Sequence, residues 1–166
     1  MSTRSDAFDE ALRLIVAPVL AGQGFKFDGN RTFRRLSVDQ RVSEIVNFQL
    51  GQRSLAGKFT VNLGVYVDGD SSGVNVAQAK EHHCPHGRRM RIGHLIPTKL
   101  PVLANLPYIG FLFGPRDKWW PCSGDSAQLG AALSAVVDKI VLYGLPWQKA
   151  SGPNNSFNPK PLRGSA

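Results

Sequence analysis

The chain is poor in thiols, in glutamate and in unbroken apolar sequence. Only two cysteines, Cys84 and Cys122, occur in 166 residues. Two thiols make no disulfide framework, so reduced thiols in a cytoplasm are the expectation. Glutamate occurs three times, as Glu10, Glu44 and Glu81, which leaves carboxylate catalysis few candidates. No run of about 18 consecutive apolar residues is present, so no membrane span is expected. Residues 1–20 carry Asp6, Asp9, Glu10 and Arg13 within the apolar pattern and read as a helix rather than a secretory leader. Glycine-rich phosphate loops, HExxH and internal repeats are also missing. Together these absences argue against a familiar enzyme, and no cofactor is expected.

What the chain does have is a 42% apolar content and 20 basic against 12 acidic residues, a formal charge of +8. That is enough apolar material for one core without disulfides or metals. One domain over residues 1–147 is expected. The stretch 148–166, rich in Ser, Asn, Pro and Gly, reads as a flexible tail, because its few apolar side chains cannot offset the entropy of ordering it.

Helical spacing of Phe8, Leu12, Ile15, Val16 and Val19 predicts a first helix, with Ser5 as its cap and Pro18, then Gly22 and Gly24, as its end. Short strands are expected at Gly24–Phe27 and Arg31–Leu36. Two longer strands are clearer. Val42, Val46, Phe48 and Leu50 alternate with Ser43, Ile45, Asn47 and Gln49, and Phe59, Val61, Leu63, Val65 and Val67 with Thr60, Asn62, Gly64 and Tyr66. This is the pattern of an antiparallel sheet with one apolar and one wet face. Superimposing the apolar faces places Asn47 opposite Asn62 and Gln49 opposite Thr60. A further strand is expected over Arg88–Leu95 and an edge strand at Trp119-Trp120. A second helix is expected over Ser126–Tyr143, capped by Asp125 and stopped by Gly144 and Pro146. The fold class is therefore α+β: an antiparallel sheet of four to five strands with two helices packed on one face. Between them, residues 96–117 form an apolar, proline-rich insert.

Gly24-Phe25-Lys26, Arg31-Thr32-Phe33-Arg34-Arg35, Asn47-Phe48-Gln49 and the run Phe59–Val65 form an ordered set. It continues with Cys84, Arg88, Arg91-Ile92-Gly93, Asp117-Lys118-Trp119-Trp120 and Leu145-Pro146-Trp147. The set resembles a bacterial family known as domain of unknown function 4304. The insert between Leu95 and Asp117 is longer than that pattern. The resemblance implies an α+β bacterial domain with no activity or catalytic residues to carry over, and an immunity-type or accessory role by analogy.

Several constellations are candidates for function. The amide-rich face of Asn47, Gln49, Thr60 and Asn62 can direct hydrogen bonds to a polar group, or simply be a wet sheet face. Leu103, Leu106, Ile109 and Phe111 of the insert offer apolar anchors for a protein partner, or pack on the chain's own core. Arg88 and Arg91 belong to a basic stretch over 80–99, where five cations face one acid, while residues 26–58 carry seven cations against three acids. Such patches suit nucleic acid, or keep a sheet soluble. Arg34 and Arg35 point to opposite faces, with Glu44 a candidate ion-pair partner. Cys84, His86 and Cys122 are weak candidates for a zinc site, their spacing fitting no standard motif. Cys84 beside His82, His83 and His86 is the only nucleophile candidate. The leading expectation is a protein-binding domain, followed by a nucleic-acid-associated one and then by a Cys84 enzyme.

Overall fold

Alternation builds the centre of the molecule. The computed structural model describes residues 4–70, 72–97 and 117–153. Its sheet contains β1 (Lys26–Phe27), β2 (Thr32–Leu36), β3 (Val42–Leu50), β4 (Lys58–Val67), β5 (Arg89–Arg91) and β6 (Trp120–Pro121). All pairings are antiparallel, in the order β1-β2-β3-β4-β5, with β6 also on β4. The expected register holds: Asn47 opposes Asn62 and Gln49 opposes Thr60. Phe48 therefore faces Val61, and both apolar rows fall on one side.

Two helical runs cover that side. The first joins α1 (Arg4–Ala11) and α2 (Ala17–Gly22) through a π turn at Leu12–Val16. The second joins α3 (Ser126–Lys139) and α4 (Leu145–Ala150) through a π turn at Ile140–Gly144. Phe8, Leu12, Val16 and Leu20 meet Leu129, Leu133, Val136 and Ile140 over Phe33, Val46, Phe48, Phe59, Val61 and Leu63. Phe59 lies at the middle of this core, with its ring 5.2 Å from Phe8 and 6.0 Å from Trp120. By length and hydropathy alone the run Ser126–Ala150 could cross a membrane. In the fold its apolar stripe is buried against the sheet.

Several local expectations give way. Ser5 lies inside α1 rather than at its cap, and its hydroxyl accepts from Arg31 at 2.5 Å. Asp125 does cap α3, accepting from the Gln128 amide at 2.7 Å. The first helical run ends at Gly22, as expected, but neither Pro18 nor Pro146 stops its helix. A proline cannot donate to the carbonyl four residues back and crowds it. Each proline lies two residues after a π turn, where Ala17 donates to Leu12 and Leu145 to Ile140, five residues back. The displaced partners would be Leu14 and Leu142, both on the solvent side of their helices, where water can serve a carbonyl. Gly144 is buried mid-helix, at φ −69°. A methyl there would lie 3.1 Å from the Leu63 side chain, so this glycine permits close approach to the sheet. The helix continues past 147, and Gln148 is fully buried, so the ordered chain extends into the stretch expected to be a tail. The Arg88–Leu95 strand shrinks to Arg89–Arg91, followed by a 3-10 turn at Ile92–His94.

The sheet's other face is only half wet. Ile45 and Tyr66, expected to face water, are buried with Val76, Ala79 and Cys84 in a second apolar cluster. The segment after β4 folds back over this end in 3-10 turns at Val76–Gln78 and Glu81–His83. It lands on Gly64, where a Cβ would meet Cys84 Sγ at 2.7 Å and Glu81 Cα at 3.2 Å.

Candidate functional site

The remaining end of that face holds the amide row. Asn62 and Arg91 are cross-strand neighbours on β4 and β5, and Arg91 Nε donates to Asn62 Oδ1 at 3.3 Å. Asn62 Nδ2 donates to Gln49 Oε1 at 2.9 Å. On its far side Arg91 pairs with Asp117, and its guanidinium stands 5.5 Å from the Trp119 ring centre. Trp119 Nε1 donates to the same Asp117 carboxylate at 3.2 Å. The result is a continuous chain of hydrogen bonds, Gln49–Asn62–Arg91–Asp117–Trp119. Asn47 and Thr60 belong to the frame around it: Asn47 donates to Thr32 Oγ1, and buried Thr60 donates to the Lys118 carbonyl, each at 3.0 Å.

Beside Arg91 a cleft of about 370 Å³ opens, lined in part by Asn62, Leu63 and Met90. Glu81, His82, Arg89 and His94 complete its lining. Arg89 contacts the His86 ring at 2.7 Å, and no carboxylate pairs with it among the described residues. A donor fork without a counter-ion, next to a second guanidinium held in place by Asn62 and Asp117, suits an incoming carboxylate. Glu81 is the acidic residue of the lining, and its Oε2 is buried without a hydrogen bond.

The other candidates sort differently. Arg88 is bound to Asp70 at 2.5 Å, and Asp70 also accepts from the Val67 amide, so Arg88 fixes the loop after β4 rather than the cleft. Leu103, Leu106, Ile109 and Phe111 lie outside the described residues. Cys84 and Cys122 are separated by the sheet: Cys84 belongs to the second cluster and Cys122 to the main core. With His86 turned to Arg89, these three residues form no metal site, and no group of three metal-ligating side chains occurs among the described residues. The Cys84 dyad also fails on geometry and charge. Its Sγ points to the Lys80 carbonyl at 3.7 Å, and burial, aided by Asp70 and Glu81, pushes the thiol up to about 12. That is a structural thiol, not a thiolate nucleophile. His83 is occupied too: Nδ1 accepts from the Lys80 amide at 3.0 Å. Desolvation, with His82 and Lys80 nearby, holds its pKa below the ordinary value.

The basic stretch at 26–58 is partly neutralised. Arg31 pairs with Asp9 at 2.5 Å, Arg34 with Asp28 at 2.8 Å and Arg35 with Glu44 at 2.5 Å. Glu44 is the partner expected, but Asp9 is 22 positions from Arg31 and lay beyond any local count. Sequence alone does not join Arg89, Asp117 and His94 into a site, although Arg89 falls in the basic stretch at 80–99. Arg89 shares the strand parity of Arg91, a signal the sequence does carry, whereas Asp117 reaches Arg91 across 26 positions.

A family model described as "Domain of unknown function (DUF4304)" matches residues 16–150. The chain belongs to this family. No curated protein and no solved structure matches it.

Proposed function

We propose that this family member is a non-catalytic binding domain of the bacterial cytoplasm, immunity-type or accessory in role, which receives an acidic group of a protein partner in the cleft beside β5. The observation that carries this reading is Arg89. It lines an open cleft next to the braced Arg91, with no carboxylate of its own among the described residues. The buried Cys84 thiol supports a binding role over an enzymatic one. The ion pairs of Arg31, Arg34 and Arg35 leave fewer cations for a phosphate backbone, which favours protein over nucleic acid. Two buried thiols without a bridge fit a reducing compartment.

Fluorescence anisotropy with a labelled Glu-rich peptide and a single-stranded oligonucleotide tests it. Saturable peptide binding that weakens about tenfold in Arg89→Glu, close to 1.4 kcal/mol, is the expected result. Absence of saturable peptide binding, or tighter binding of the oligonucleotide, overturns the proposal.

A further inference from the structure

Resting on that reading, we propose that the partner's acidic group arrives on an extended segment that adds as a strand to the outer edge of β5. The phase of the sheet's hydrogen bonds carries the inference. Gly51 donates to the Lys58 carbonyl at 2.8 Å and Asp68 to the Arg41 carbonyl at 2.7 Å. Both belong to the β3–β4 register, so even-numbered β4 residues turn their backbone groups to β3. Odd-numbered ones, Leu63 among them, turn theirs to the opposite edge. The Cys122 amide, which donates to the Gly57 carbonyl at 2.8 Å in the β4–β6 register, confirms that phase. Leu63 is opposite Met90, so Met90 exchanges bonds with β4 while the backbone groups of Arg89 and Arg91 point outward. Among the described residues no strand lies beyond β5.

The side chains state what this edge would select. Successive residues of a strand point to opposite faces, so Arg89 and Arg91 stand together on the Asn62 face and Met90 on the other. An added strand meets both guanidiniums with residues two apart and Met90 with the residue between. The fitting ligand is an acidic–apolar–acidic segment in extended form, with main-chain bonds giving affinity and alternate side chains giving specificity.

Four peptides of one residue set separate this from charge attraction alone: Ser-Glu-Val-Glu-Val-Ser, its isomer with adjacent glutamates, and the alternating peptide N-methylated either at its Glu or at its Val amides. Titration against the full chain is expected to favour the alternating peptide at least tenfold. Methylation of one of the two amide sets should abolish that preference, and exchange of the Arg91 amide should slow on binding. Equal binding of all the peptides, with unchanged exchange, overturns strand addition while leaving the acidic cleft standing. No binding of any peptide removes both.

Discussion

Gly64 is the residue on which the two faces of the sheet depend. It lies mid-strand, where a side chain would ordinarily add packing. Its missing Cβ is the space taken by Cys84 Sγ and the Glu81 backbone. Gly64→Ala is therefore expected to destabilise the fold by about 1–3 kcal/mol, the range of an overpacked core. Urea unfolding should show a lower midpoint at unchanged slope. The double variant Gly64→Ala/Cys84→Ala should recover part of the loss, because it removes the sulfur at 2.7 Å and leaves the Glu81 Cα at 3.2 Å. A double variant no more stable than Gly64→Ala would show that Sγ is not the obstacle. Gln148 meets the same strand pair from the helix side: Nε2 donates to the carbonyls of Ile45 at 2.8 Å and Gly64 at 3.1 Å. Nothing in the local sequence announced either contact, since Gln148 is 103 positions from Ile45. The strands that these residues join were legible, because alternation is a property of each strand alone.

At the scale of elements, the π turn at Ile140–Gly144 makes room for Pro146 within the helix. Deleting Leu142, an exposed residue, should close it to an α turn and set the Pro146 ring against the carbonyl four residues back. Thermal melting is expected to show a large loss for the deletion and almost none for Leu142→Ala. Equal melting of the two would mean that the turn does not accommodate Pro146. Helix ends were the least legible part of the sequence for the same reason. Gly144 and Pro146 are stop signals judged locally, but burial of Ile140, Leu145 and Gln148 draws the chain on as helix. The 3-10 turn at Glu81–His83 carries a pH dependence. His83 accepts the Lys80 amide, and its pKa is lowered in the fold. Neutral in both states above the ordinary value of 6.5, it costs nothing there. As pH falls through 6.5 toward the lower folded value, the unfolded chain takes up its proton first and stability declines. Urea midpoints at pH 8 and pH 5 should therefore differ more for the native chain than for His83→Asn. An equal difference would remove His83 from the account.

For the whole molecule, one sheet carries two unequal cores. The helix side buries most of the large apolar side chains, and the other side has Ile45, Tyr66, Val76, Ala79 and Cys84 under a loop. The charge of +8 is likewise unevenly available, being paired along β2 and open at Arg89. Sequence could count these charges but not pair them, because the partners come from other elements. The two prolines, each seated behind a π turn, bear on the order in which the chain assembles. A proline within a helix costs about 3 kcal/mol in isolation, and short helices are marginal in water even without one. The β3–β4 hairpin closes over a short connection and needs neither helix to define its register. Assembly should thus begin with the hairpin, and both helices should gain their full length only on reaching it, each completing its final turns on a template already in place.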